Sequence, residues 1–202
     1  MTGSGAPKVL GSRRAFEGQT FSVRVDEIQN PSGRRWSLEV VEHPGAVAIV
    51  ALHSDHELIL VRQTRVALGR VLLEIPAGTL EPPETPEACA RRELAEEAGY
   101  AADSWERLAT FYPAPGLSTE ELHLFLAEDL RPAPAEREEE DLTVHRVPLA
   151  VARRLVATGE IRDAKSIVGI LLAAERFGRR SPGGTLRPSG GQSPAPGGAP
   201  GA

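Results

Sequence analysis

Apolar and polar residues alternate in two stretches near the start of the chain, TFSVRVDEI (20–28) and RRWSLEVV (34–41), and the break between them, QNPSG, is rich in turn formers. A period of two puts one face on a core and leaves the other wet, so the pair predicts a β-hairpin. The pattern then changes. AVAIVAL (46–52) is almost wholly apolar, as a strand covered on both faces is, and ELILVRQ (57–63) follows it across a short polar turn at His53 to His56. RVLLEI (70–75), WERLATFY (105–112), ELHLFLA (121–127) and LTVHRV (142–147) complete the predicted strands. Helical spacing predicts three helices, about Pro86 to Ala98, Pro148 to Ala157 and Ala164 to Phe177; the last carries Ile167, Ile170, Leu171 and Ala174 as a core stripe.

This order of elements implies an α/β fold of the α+β kind, built on a mixed sheet. Four regions follow from it: a flexible N-terminus (1–14), N-terminal strands (15–43), the main domain (44–178) and a tail (179–202). From Ser181 onward 12 of 22 residues are Gly or Pro and a single one is charged. Such a segment buries too little apolar surface to offset the entropy of ordering, so the expectation is a disordered extension.

The first helix has clear ends. Thr85 suits the N-cap, Pro86 the first helical position, Glu87 the positive end and Gly99 a left-handed exit. At about 100° per residue, Glu93 and Glu97 lie about 40° apart, with Glu96 about 60° to the other side of Glu93. Three carboxylates thus share one narrow face, while Ala88, Ala90, Leu94, Ala95 and Ala98 fill most of the rest. Like charges at these spacings destabilise a helix by a few tenths of a kcal/mol per pair, and Arg92 is placed to offset one of them as the i,i+4 partner of Glu96. Such an oxygen-rich face suits a hard divalent cation shared with phosphates; equally, it matches a solvated acidic surface.

Charge and cysteine content narrow the class. The net charge of −5 gives no reason to expect nucleic acid, and one cysteine, Cys89, excludes an internal disulfide. Cys89 falls between the acidic and apolar sectors and reads as a packing residue. No run approaches the ~20 apolar residues of a membrane span, and the first residues carry no apolar core of a signal peptide, so the expectation is a cytoplasmic protein. The five histidines, His43, His53, His56, His123 and His145, show no ligand spacing.

The stretch GTLEPPETPEACARRELAEEAGY (78–100) resembles the Nudix box, Gly-x5-Glu-x7-Arg-Glu-aliphatic-x-Glu-Glu-x-Gly-aliphatic, at Gly78, Glu84, Arg92, Glu93, Leu94, Glu96, Glu97 and Gly99. Tyr100 stands where an aliphatic residue is usual, at a packing position. Beyond the box, EVVEHPGAVAIVAL, VRQTR, EIPAG and FYPAPGLSTEELHLFLAEDL look like the ADP-ribose pyrophosphatase branch, in which a proline some fifteen residues past the box is a marker; Pro115 stands there. The resemblance implies a Nudix α/β/α sandwich over 44–178 with an N-terminal β-hairpin extension.

It also implies roles. Glu93 and Glu97 are the main Mg²⁺ ligands, Glu96 shares the metals and the backbone carbonyl of Ala77 adds an oxygen, with Mn²⁺ or Zn²⁺ as substitutes. Arg92 orients a carboxylate, Glu84 supports the loop, and Gly78 lets the backbone turn where a diphosphate approaches. The general base of this family often comes from a downstream acidic loop, here Glu136 to Asp141 (EREEED), where Glu139 is favoured and Glu138 and Glu140 compete. The bland reading of that run is a solvated charge cluster. Arg65 resembles an arginine that contacts phosphates or the terminal ribose, and its bland reading is a salt-bridged strand end. Glu120 belongs to the cleft-lining loop after Pro115, and Trp36 is a candidate to stack on a purine or, more plainly, to pack.

The implied activity is Mg²⁺-dependent hydrolysis of ADP-ribose to AMP and ribose 5-phosphate, in a homodimer for which the N-terminal strands (15–43) could serve as the dimerisation element. Its rivals are the same fold acting on another nucleotide sugar, such as GDP-mannose, and a non-catalytic module that binds ADP-ribose-type ligands.

Overall fold

Strand β4 (Ala46–Ala51) is buried at every residue because it feeds two cores at once. In the computed structural model, which describes residues 5–53, 56–134 and 141–178, Ala46, Ala48 and Val50 face one core and Val47, Ile49 and Ala51 the other. β4 lies inside a four-stranded mixed sheet of order β7-β4-β9-β8, formed with β7 (Ala77–Thr79), β8 (Tyr100–Phe111) and β9 (Leu122–Pro132). β4 runs parallel to β9 and antiparallel to β7, and β8 pairs antiparallel with β9. A second, antiparallel sheet has β5 (Glu57–Arg65) between β10 (Thr143–Pro148) and β6 (Arg70–Glu74).

Helix α1 (Pro86–Ala98) covers one side, where Cys89, Ala90, Leu94 and Ala98 meet Val47, Ile49, Ile59 and Phe125. Helices α2 (Leu149–Ala157) and α3 (Ala164–Gly178) cover the other, where Leu149, Ala152, Ile170, Ala173 and Phe177 meet Val50, Leu60 and Leu124. The α/β class, its mixed sheet and the α/β/α layering agree with the sequence. No helix among the described residues is long and apolar enough to cross a membrane.

Two expectations need correction. Residues 1–14 read as flexible, yet Lys8–Arg14 belong to β1 (Lys8–Glu17), which pairs antiparallel with β2 (Ser22–Gln29). β2 also pairs antiparallel with β3 (Arg35–Glu42) as the predicted hairpin, and β1 extends that hairpin to a three-stranded sheet. β1 is exposed at every residue, so no alternation betrays it; backbone pairing holds it, with two register shifts. Second, Leu171, expected in the core stripe of α3, is exposed. The other members of the stripe, Ile167, Ile170 and Ala174, do pack in that core, which Ser166, Ala173 and Phe177 complete. The acidic run at 136–140 and the Gly/Pro-rich tail from 179 lie outside the described residues.

Candidate active site

The ends of α1 set its rotation. The Thr85 hydroxyl accepts the Ala88 N–H at 3.2 Å, Pro86 opens the helix, and Gly99 leaves it with φ 73°. With the apolar side of α1 seated in the core, Arg92, Glu93 and Glu97 turn toward the segment from β6 through β7 and the loop after it. Glu97 Oε2 accepts the Ala77 N–H at 3.0 Å, and the buried Gln63 on β5 lies 3.5 Å from its Oε1.

Arg92 does more than the helical wheel implied. It was expected to offset Glu96 alone, but its Nη1 donates to Glu93 Oε1 at 2.8 Å and to Glu96 Oε2 at 2.9 Å, and its Nη2 donates to Glu84 Oε1 at 2.7 Å. Glu84 arrives from the loop before α1, which no wheel shows, and the guanidinium fork has donors enough for all three. Glu84 also accepts the Glu81 N–H at 2.9 Å, so it ties Arg92 to the loop. The hydrogen bond from Arg92 holds the Glu84 carboxyl well below the usual range, at about 2.

Glu93 has the opposite balance. It is 9% exposed, and burial pushes its carboxyl up to about 7, with Arg92 offsetting only part of that and Glu96 and Glu84 adding to it. Its position explains Gly78: a Cβ there would collide with the Glu93 carboxylate. Only glycine lets that carboxylate lie against the strand beside Ala77. Cys89, on the buried side, is wholly enclosed and its thiol is pushed up by burial. It is a packing residue within reach of Arg92 Nη2, at 3.4 Å.

No trio of His, Cys, Asp or Glu side chains among the described residues converges on one point. Arg92 and backbone N–H groups hold the carboxylates instead. The donors are nevertheless oxygens throughout: Glu93, Glu96, Glu97 and the carbonyl of Ala77. One guanidinium stands among three carboxylates, and one of those is buried with its charge under-compensated. Such a set fits a hard divalent cation.

The other candidates lie in three places. Arg65, at the end of β5, takes Glu74 Oε2 through Nη2 at 2.5 Å and donates from Nε to both Glu74 oxygens at 3.2 Å. Pro115 and Glu120 sit in the loop between β8 and β9. That loop is clasped to the end of β3: Val41 N–H donates to Leu117 O at 2.8 Å and Thr119 N–H to Val41 O at 2.9 Å. Trp36 lies on β3 opposite Ile28, on the N-terminal sheet, and is 38% exposed. Glu138, Glu139 and Glu140 lie outside the described residues.

Four residues that the sequence reading passed over join this region: Gln63, Glu74, Lys165 and Ser166. Each left a mark. Gln63 and Glu74 are polar residues that follow apolar runs in β5 and β6, and both are buried. Lys165 and Ser166 follow Asp163, an acceptor in N-cap position, whose Oδ2 takes the Ser166 N–H at 3.0 Å.

Residues 42–170 match the model of the NUDIX domain. The chain is 39% identical over 166 residues to an ADP-ribose pyrophosphatase of Bacillus subtilis (strain 168), covering 81% of this chain and 90% of that protein. It is 40% identical over 168 residues to an ADP-ribose pyrophosphatase of Mycobacterium tuberculosis (strain ATCC 25618 / H37Rv), covering 81% of each. Among solved structures it is similar to a crystal structure of an ADP compounds hydrolase, with a TM-score of 0.77 and 27% identity over 86% of this chain and 95% of that one.

Proposed function

The chain belongs to the Nudix family, and on that premise we propose that it hydrolyses the diphosphate of ADP-ribose to AMP and ribose 5-phosphate, with Mg²⁺ as its metal. The observation that carries the reading is the face of α1 set against the Ala77–Gly78 backbone, where carboxylates outnumber the guanidinium among them. When bound, a divalent cation offsets the charge of the diphosphate and acidifies water. Mg²⁺ suits a site made of a few carboxylates and substrate phosphates, and Mn²⁺ would substitute.

Each residue then has a task. Glu93, Glu96, Glu97 and the Ala77 carbonyl hold the cation. Arg92 keeps Glu93 and Glu96 in place, and Glu84 keeps Arg92 in place. Gly78 admits the diphosphate to the backbone. Arg65 takes a phosphate or the terminal ribose, Pro115 and Glu120 line the cleft, and Trp36 stacks on the adenine. Glu139 accepts the proton of the attacking water, with Glu138 and Glu140 in adjacent register.

The protein acts in the cytoplasm as a homodimer that pairs through its N-terminal sheet. β1 and β3 are the two edges of that sheet, and Val9, Leu10, Phe16, Trp36 and Leu38 are exposed on them.

The test is phosphate release, coupled to a phosphatase, from ADP-ribose, GDP-mannose, UDP-glucose, NADH, diadenosine polyphosphates and nucleoside triphosphates, with and without Mg²⁺. Metal-dependent preference for ADP-ribose is expected. Preference for GDP-mannose would keep the chemistry and overturn the substrate, while binding of ADP-ribose without release would leave a ligand-binding module.

A further inference from the structure

Helix α3 lies across the sheet from α1, yet its first turn grips the same short segment. Asp163 Oδ2 accepts both the Ser166 N–H at 3.0 Å and the Lys165 ammonium at 2.9 Å. Lys165 Nζ also donates to Glu74 Oε2 at 2.8 Å, and the wholly buried Ser166 accepts the Ile75 N–H on Oγ at 2.9 Å. One turn on, Gly169 lets α3 come so close that a Cβ there would press on Ile75 and Val50. Beyond Ile75 the pinning continues: Pro76 O accepts the Ile49 N–H at 2.8 Å, and the Ala77 N–H goes to Glu97. The segment that delivers the Ala77 carbonyl and Gly78 is therefore held residue by residue.

These polar contacts are not what keeps α3 on the sheet. Ile170, Ala173 and Phe177 already bury it there. A buried ion pair adds little net stability, because desolvation cancels most of its attraction, and Asp163 Oδ1 is itself buried without a hydrogen-bond partner among the described residues. Their effect lies in geometry.

We propose that Lys165 and Ser166 are positioning residues that set the depth of Glu74–Gly78, so that the Ala77 carbonyl and the α1 carboxylates can meet on one divalent cation. The proposal rests on the metal-dependent reading above. Neither residue touches substrate; each acts through Glu74 or Ile75.

Two measurements on the full chain test it: Mn²⁺ affinity of the substrate-free protein by electron paramagnetic resonance, and the Mg²⁺ dependence of ADP-ribose hydrolysis. Ser166→Ala and Lys165→Met are expected to weaken Mn²⁺ binding about tenfold, the low end of what losing a ligand's own partner costs, because both act on the chain just before Ala77 rather than on a ligand. The half-saturating Mg²⁺ concentration should rise in step, with little change in KM for ADP-ribose at saturating Mg²⁺. Ser166→Thr and Lys165→Arg should restore most of the affinity. Ile161→Val, buried in the same core, should lower the melting temperature and leave Mn²⁺ affinity unchanged.

Ser166→Ala removes a single oxygen, so it carries the test if Lys165→Met does not fold. Wild-type Mn²⁺ affinity in Ser166→Ala, or an equal loss in Ile161→Val, overturns the proposal. Wild-type protein that binds Mn²⁺ but leaves ADP-ribose intact would sink the substrate reading alone, with the Mn²⁺ comparison still deciding this one. Wild-type protein that binds no Mn²⁺ would sink both.

Discussion

Two groups of carboxylates flank the Glu74–Gly78 segment, and they are neutralised in opposite ways. On the α1 side one guanidinium, Arg92, serves Glu84, Glu93 and Glu96. On the α3 side two cations, Arg65 and Lys165, serve Glu74 and Asp163. Burial pushes the carboxyls of both Glu93 and Glu74 upward. For Glu93 the single arginine leaves the balance high, at about 7. For Glu74, only 1% exposed, hydrogen bonds and charge from Arg65 and Lys165 overcome burial and leave it below its ordinary value. Depth alone therefore does not distinguish a site from a joint. The number of cations within reach does, and the side short of positive charge is the one that a divalent cation would complete.

The largest effects should come from the under-neutralised side. Glu97→Gln keeps size and removes a charge proposed to hold the metal, so turnover of ADP-ribose should fall at least about 10²-fold with the melting temperature preserved. Near-wild-type turnover would remove Glu97 from the ligand set. Glu139→Gln should lower kcat by about 10²–10⁴-fold with little change in KM, as loss of a general base does. The same loss at Glu138 or Glu140 instead would move the base along the loop.

Stability should divide the two groups next. Glu74→Ala leaves Lys165, which is mostly buried, without its partner on β6, and should cost roughly 3 kcal/mol in denaturant unfolding. Glu93→Gln, in protein freed of metal by a chelator, removes a buried and poorly compensated charge, and should leave stability unchanged or raised. If both substitutions destabilise alike, the contrast between site and joint is wrong.

The sequence made one side of this comparison far more legible than the other. α1 could be bounded to the residue because its signals are local: a Thr85 cap, a Pro86 start, a Gly99 exit. The burial of β4 was equally plain, since an unbroken apolar run has few other uses. β1 was hidden because pairing without burial leaves no periodic trace. β7 is three residues long, too short for any period to register. The threefold grip of Arg92 was hidden because Glu84 reaches it from a loop, and Arg92 to Glu84 is a tertiary distance. The α3 side was hardest of all: Glu74 and Lys165 lie 91 positions apart, and only the fold brings them together. Charges within one helix can be read from spacing; charges that neutralise each other across a sheet cannot.

The pH dependence is the most direct on the contrast, because the two glutamates should tilt stability with pH in opposite directions. Glu74 has a folded value below its ordinary one of 4.5, so its contribution is present above that value and is lost as the pH falls through the lower folded value. Thermal melts below pH 4.5 should therefore decline less steeply in Glu74→Gln than in the wild type. Glu93 has a folded value raised from 4.5 to about 7. Between those two the folded state binds more protons than the unfolded state, so the metal-free protein loses stability as the pH rises through that window. Glu93→Gln should remove this decline, standing highest above the wild type at pH 8 and near it, apart from a constant offset, at pH 4.5. Added Mn²⁺ should close the gap at pH 8 by supplying the wild-type carboxylate with its missing cation. Parallel profiles for wild type and Glu93→Gln across the whole range would mean that Arg92 alone balances the α1 face.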